Sequence, residues 1–134
     1  LKSGLLFMGA ANVLDSKKEM EDNGWLSAFE FSLLNLRNTE LVVLSACETG
    51  LGEVKNTKGI YGLQRAVKMA GAESLIMSMW RVDDKATQKL MTYFYNNWII
   101  KNMTKKSAFK AAQIKLRSEY PEPYFWGAFV MVGN

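Results

Sequence analysis

Cys47 is the residue best suited to covalent chemistry, and it is the only cysteine in the sequence. It lies three positions beyond the apolar run Leu41–Leu44. A short run that is apolar at every position is typical of a strand buried on both faces, as in a parallel sheet covered by helices. Reacting groups collect at the carboxyl ends of such strands, so Cys47 stands where a nucleophile would. The alternative is a small buried thiol at the end of a strand.

The sequence contains no histidine, which limits what Cys47 can do with these residues alone. A thiol attacks as its thiolate, and free cysteine has a pKa of about 8.5, so a cysteine hydrolase needs a neighbouring base. The absence of histidine excludes a Cys–His pair, a Ser–His–Asp triad and a Cys/His zinc site built within the 134 residues. Caspase-type proteases place the histidine about 50 residues before the cysteine. That position falls before Leu1, so we expect the chain to be a piece of something longer.

Length and composition indicate one soluble globular domain. Of the 134 residues, 49% are hydrophobic and 22% are charged, an ordinary balance for such a protein. No apolar stretch approaches the roughly 20 residues of a membrane span. The net charge of +4 is interpreted as lysines scattered among acidic residues, and no basic stripe is interleaved with aromatics. We therefore expect neither a membrane nor a nucleic acid as partner, and the single cysteine fits a reducing, cytoplasmic compartment.

Predicted strands alternate with predicted helices along the chain. The strands are residues 5–8, 41–44, 74–80 and 125–132. The first predicted helix is residues 25–36, with Ser27 and Glu30 as a capping box, and the second is residues 58–70, which Gly71 ends. A third helix is capped by Asp83 or Asp84 and carries Ala86, Leu90, Phe94 and Trp98 on one face. A fourth helix starts at Thr104 and is ended by Pro121 and Pro123. Exposed loops are predicted at 15–24 and 48–57. This alternation predicts an α/β domain with a mostly parallel sheet and no internal boundary.

Four segments together resemble the CHAT domain family. They are SACETGLGE at 45–53, GIYGLQRA at 59–66, MWRVDD at 79–84 and PYFWGAF at 123–129, and the resemblance extends over residues 4–134. That family is caspase-like and separase-like, and its domains are commonly attached to tetratricopeptide repeats.

The resemblance implies a cysteine endopeptidase acting on a peptide or protein substrate, with Cys47 as nucleophile. It also implies a caspase-like, mostly parallel sheet flanked by helices, so that residues 1–134 form a single partial domain without its N-terminal strands. The family's histidine lies in a His-Gly motif on the strand before this region, and the glycine helps the cysteine backbone N–H to hold the oxyanion. A bacterial, cytoplasmic origin is a further expectation from the resemblance.

Four more residues are expected to contact substrate: Asp83, Asp84, Glu48 and Trp80. Asp83 and Asp84 follow the next strand at the same sheet edge as Cys47, and relatives such as separase hold an acidic residue here that receives the basic side chain before the cut. A carboxylate can pair bidentately with arginine; the alternative is that one or both aspartates cap the following helix. Glu48 flanks the site but could simply be solvated, and Trp80 is expected to wall the pocket.

No cofactor or metal is expected. The spacing of the glycines at 50, 52, 59 and 62 does not fit a phosphate-binding loop, because no Gly-Lys-Ser/Thr follows, and no dense acidic ligand set is present. Three functions stay open: a cysteine endopeptidase with an upstream histidine, a non-catalytic interaction module that binds a peptide without cutting it, and a partial domain that pairs with another chain at an open sheet edge.

Overall fold

The computed structural model describes residues 4–6, 24–45 and 57–133. These fall into two compact units that interleave along the chain. The first comprises Leu1–Glu40 with Thr49–Glu73, and the second comprises Leu41–Glu48 with Ser74–Asn134. Each unit is described by itself.

In the first unit, β1 (Gly4–Leu6) pairs antiparallel with β2 (Trp25–Ser27), and α1 (Ala28–Ser32) follows directly. The predicted capping box is confirmed: the Glu30 backbone N–H donates to Ser27 Oγ at 3.2 Å, and the Ser27 N–H donates to Glu30 Oε2 at 2.8 Å. The predicted helix 25–36 is shorter at both ends. Its first three residues are a strand because they pair with β1, a partner distant in sequence.

The second helix of this unit, α2 (Thr57–Ala70), agrees with the predicted helix to one residue. Val67 and Ala70 are buried, as the predicted apolar stripe required. Gly71 ends the helix with φ +99°, a conformation that side chains with a Cβ rarely adopt. A Cβ there would also lie 2.9 Å from Arg37 Cγ, so glycine is needed both for the turn and for the close approach.

The second unit contains a three-stranded sheet in the order β3 (Leu41–Leu44), β4 (Ser74–Ser78), β5 (Phe129–Gly133). β3 and β4 are parallel, with Leu44 opposite Met77, whereas β5 runs antiparallel to β4. Every residue of the central strand β4 is buried, which explains its predominantly apolar sequence. The α/β class is confirmed. The last strand begins at Phe129 rather than at 125, because a short helix, α5 (Pro123–Trp126), precedes it.

Two helices form the core of this unit with the sheet. α3 (Asp84–Tyr95) runs into a π-helical turn (Asn96–Ile100), and α4 (Lys105–Glu119) follows with Thr104 as its predicted cap. Two leucines and two phenylalanines of these helices are buried in one cluster with a residue from each of β4 and β5. They are Leu90, Phe94, Phe109 and Leu116 from the helices, with Ile76 of β4 and Phe129 of β5. α4 ends at Glu119, and Pro123 does not stop a helix but starts α5, where proline is tolerated in the first turn.

Within residues 4–6, 24–45 and 57–133, no helix is long and apolar enough to cross a membrane.

Candidate active site

The parallel pairing of β3 and β4 brings their carboxyl ends to one edge of the sheet. Ser45 follows β3 and is exposed, and Met79 and Trp80 follow β4. Cys47 and Glu48 lie outside the described residues, so their positions at this edge stay predictions. The structure does describe Trp80, Asp83 and Asp84, the other three predicted site residues.

Trp80 is fixed at this edge by the segment that leads into β5. Its indole Nε1 donates to the carbonyl oxygen of Tyr124 at 3.2 Å. The neighbouring Met79 N–H donates to the Ala128 carbonyl at 2.7 Å, which extends the contact between β4 and the β5 side of the chain. Trp80 nevertheless keeps 38% of its surface exposed. An anchored but exposed indole can form a wall against which a bound side chain packs.

Gly127 and Tyr124 support this arrangement, and neither is among the site residues predicted from the sequence. A Cβ on Gly127 would lie 2.9 Å from the Pro123 carbonyl oxygen and 3.9 Å from Trp80 Cη2, so glycine lets the turn after α5 close near the indole. The segment 123–129 was interpreted as mostly strand. Pro123 followed by Gly127 is the pattern of a short helix with proline at its start and glycine after its end, and it is the signal that could have revealed the turn.

Asp83 is the N-cap of α3. Its Oδ1 accepts a hydrogen bond from the Ala86 backbone N–H at 2.9 Å, and the side chain is half-buried. The capping alternative is thus confirmed for Asp83. Its Oδ2 makes no hydrogen bond within the described part of the chain, so capping occupies only one of its two oxygens.

Asp84 is the first residue of α3, and its side chain is exposed. A carboxylate in the first helical turn is stabilised by the positive end of the helix dipole. Trp80, Asp83 and Asp84 therefore place an indole and two carboxylates within one short turn after β4. An indole face and a carboxylate are both groups that bind a cationic side chain.

The side chains with perturbed pKa values in the second unit lie elsewhere, between α3 and α4. Lys89 Nζ donates to Glu119 Oε2 at 2.6 Å, and the Tyr93 hydroxyl donates to Glu119 Oε1 at 2.5 Å. These hydrogen bonds lower the pKa of Glu119 and raise the pKa values of Lys89 and Tyr93. All three groups are satisfied by one another, which is typical of a structural network that joins two helices. Among the described residues, no group of three His, Cys, Asp or Glu side chains could hold a metal ion.

Comparison with known proteins gives one family and one curated relative. The family model described as CHAT domain matches residues 1–134. "Tetratricopeptide repeat protein 28" of Mus musculus is 30% identical over 106 residues, which are 76% of this chain and 4% of that protein. The chain thus spans about 4% of the length of this relative. No solved structure matches.

Proposed function

The chain belongs to the CHAT domain family, which is caspase-like, and from that premise we propose that it is the nucleophile-bearing part of a cysteine endopeptidase. In this proposal the Cys47 thiolate attacks the carbonyl carbon of a peptide bond, and the cysteine's own backbone N–H helps to hold the resulting oxyanion. A histidine N-terminal to Leu1 in the intact protein takes the thiol proton and returns it to the leaving amine. Water then hydrolyses the thioester to release the acid.

The observation that supports this proposal most directly is the turn after β4. It carries an exposed indole and two carboxylates at the sheet edge that β3 shares, and β3 is the strand that precedes Cys47 in sequence. We propose that Asp84, or the unbonded oxygen of Asp83, receives an Arg or Lys side chain of the substrate, with Trp80 beside its apolar stem. Glu48 is proposed to flank the same site.

The first experiment is covalent labelling of the intact protein by a peptide probe that carries arginine before a thiol-reactive group. The proposal predicts rapid labelling of the wild type and none in Cys47→Ala. Labelling should slow in Asp84→Asn, and in Asp83→Asn if that residue contributes, because each change removes a charge while it keeps the shape. A matched probe with norleucine in place of arginine serves as the control. Its labelling rates with these variants and with the wild type should differ much less than those of the arginine probe.

Changing the upstream histidine should abolish rapid labelling as well. Equal labelling rates in the wild type and both asparagine variants would show that neither carboxylate contacts the substrate. Slow labelling of Cys47 in the wild type as well as in every variant would refute the proposed peptidase activity.

The second candidate is a non-catalytic module of the same family that binds a peptide without cutting it. It would use the same exposed indole and carboxylates after β4, which bind a cationic side chain whether or not a cut follows. The two candidates separate in the same assay. An interaction module would bind an arginine-containing peptide, measured by anisotropy and weakened in Asp84→Asn, yet it would leave the peptide intact and Cys47 slowly labelled.

The setting of the domain is also part of the proposal. The name of the mouse relative supports tetratricopeptide repeats in the same protein as this chain. Such repeats stack into extended concave surfaces that bind other proteins, so they would deliver substrates to the site or control access to it. A single cysteine suits a reducing compartment, and we therefore propose a cytoplasmic location.

A further inference from the structure

The positive charge of this chain is concentrated in α4 rather than scattered. α4 holds five of the 17 Lys and Arg residues and only one of the 13 acidic residues, which leaves twelve of each sign in the rest of the sequence. The net charge of +4 is therefore the net charge of this one helix. The expectation that the lysines are scattered among acidic residues therefore holds for the rest of the chain and not for α4.

The four lysines of α4 divide into two groups by what they contact. Lys105 and Lys115 lie over the rings of Trp98 and Tyr93, at 5.7 and 4.2 Å from the ring centroids. Lys106 and Lys110 are exposed and make no hydrogen bond, ion pair or ring contact with any other described residue. These two lysines project from the side of α4 that the core does not use.

Together with Ile114 and Arg117 they form what we call the basic face: Lys106, Lys110, Ile114 and Arg117. Their spacings of four, four and three residues place them on one side of the helix, over a length of about 16 Å. Ile114 is 61% exposed, and Arg117 lies over the Trp126 ring at 5.1 Å, which holds its guanidinium in place. The face thus presents three cations and one exposed apolar side chain.

The acidic residue of α4 does not neutralise the basic face. Both oxygens of Glu119 are bound by α3, one by Lys89 and the other by Tyr93. The opposite side of α4 is buried through Ala108, Ala112 and Leu116. This packing fixes the rotation of the helix about its axis, so the charged side stays exposed. Within the part of the chain that the structure describes, the basic face is therefore an uncompensated surface on a packed helix.

We propose that the basic face docks an acidic, amphipathic protein segment that places carboxylates against Lys106, Lys110 and Arg117 and an apolar side chain against Ile114. Charge complementarity and the exposed isoleucine both favour this partner. A nucleic-acid backbone would use the cations and leave Ile114 without a partner. A helix that lies in a membrane surface needs its apolar side for lipid, whereas that side of α4 is in the core. None of the four residues of this face is among the proposed peptidase-site residues, and the proposal does not depend on catalysis.

The test is binding of a labelled helical probe peptide of about 16 residues, with Glu on one face and Leu between, to the intact protein. The charge-reversed variant carries Lys106→Glu, Lys110→Glu and Arg117→Glu. The matched control reverses three other exposed cations, Arg65→Glu, Lys68→Glu and Lys85→Glu, and gives the same net charge. Circular dichroism and thermal unfolding show that each variant is folded; if a reversed variant is not, the corresponding glutamine variants replace both.

We expect the basic-face variant to weaken probe binding by at least about tenfold, because attractive pairs become repulsive, and the control to change it by less than about twofold. Ile114→Ser should weaken binding without changing its dependence on salt, whereas wild-type binding should weaken as salt rises. Equal losses in both triple variants would overturn the proposal, because overall charge would then explain the binding. So would no binding of the probe, or tighter binding of duplex DNA or of phosphatidylserine vesicles than of the acidic peptide.

Discussion

Where α3 and α4 contact each other, in what we call the hairpin, aromatic rings and the Glu119 carboxylate are matched with partners. At the β4–α3 junction, which we define as residues 79–84 with Tyr124, to which Trp80 donates, the same residue types remain exposed. Phe94 is fully buried and lies 5.6 Å from Trp98 and 6.0 Å from Phe109, measured between ring centroids. Trp80 and Tyr124, by contrast, stay 38% and 47% exposed, although a hydrogen bond joins them. The aromatic rings of the hairpin are buried and stabilise the fold, whereas the aromatic rings of the junction are exposed and available to a ligand.

The two regions also treat carboxylates differently. Glu119 in the hairpin is bound through both oxygens, whereas Asp83 uses one oxygen as a helix cap and Asp84 is exposed. A fully satisfied carboxylate has little left to offer a substrate. The comparison therefore predicts that changes in the hairpin alter stability and that changes at the junction alter binding.

Phe94→Ala tests the hairpin with the largest expected effect. Truncating a fully buried phenylalanine removes apolar contacts and leaves a cavity, so the free energy of unfolding should fall by about 3–5 kcal/mol. Chemical denaturation measures this loss. Ile100→Ala is the matched control, since its side chain is 76% exposed, and it should change stability by no more than about 0.5 kcal/mol. Equal effects of the two substitutions would refute the contrast between packed and exposed side chains.

Asp83 is a junction residue that is expected to affect stability, because it caps α3. Asp83→Ala removes the cap of α3 and should cost about 1 kcal/mol, whereas Asp83→Asn keeps a side-chain oxygen and should cost little. Asp84→Asn should also be nearly neutral for stability, because Asp84 makes no cap hydrogen bond. Denaturation of the three variants measures this order. A loss in Asp83→Asn as large as that in Asp83→Ala would mean that charge, not capping, is what α3 requires.

Glu119→Gln should change how stability depends on pH. Hydrogen bonds from Lys89 and Tyr93 hold the pKa of Glu119 below its ordinary value of 4.5. A carboxylate with a depressed pKa contributes stability that is fully present above pH 4.5 and is lost as pH falls through the lower, folded-state pKa. The wild type should therefore lose more stability on acidification than Glu119→Gln does. Glu122→Gln removes a nearby exposed carboxylate and leaves the Lys89–Glu119–Tyr93 network in place, so it is the control for the loss of one negative charge.

Local signals in the sequence predicted the helix starts better than the strand ends. Ser27, Asp83 and Thr104 each cap a helix through a hydrogen bond to the residue three positions later, so the information needed lies within one turn. Strand assignments depend on distant partners. Residues Trp25–Ser27 are a strand only because they pair with Gly4–Leu6, and no local pattern shows that β5 runs antiparallel to β4.

The π-helical turn was missed for a related reason. The apolar spacing of Leu90, Phe94 and Trp98 continues the helical period, so it predicts an uninterrupted helix. In the structure Asn97 is buried after α3, and its Nδ2 donates to the Ala108 carbonyl of α4 at 3.4 Å. That contact depends on how α3 and α4 pack. Trp80, Asp83 and Asp84 are predicted to contact substrate because of their position after β4, whereas the support from Tyr124 and Gly127 comes from a segment more than 40 residues later.

Tyr124→Ala tests the junction with the smallest expected effect on stability. The side chain is 47% exposed, and the carbonyl that holds Trp80 belongs to the backbone and survives the substitution, so stability should change by no more than about 0.5 kcal/mol. Trp80→Phe is the informative counterpart, because it removes the indole N–H and should cost about 0.5–1.5 kcal/mol. If the junction serves a ligand, labelling of the intact protein by the arginine probe should slow in Tyr124→Ala while its unfolding curve overlays that of the wild type. A stability loss in Tyr124→Ala as large as that in Phe94→Ala would place the junction with the hairpin as part of the packed fold.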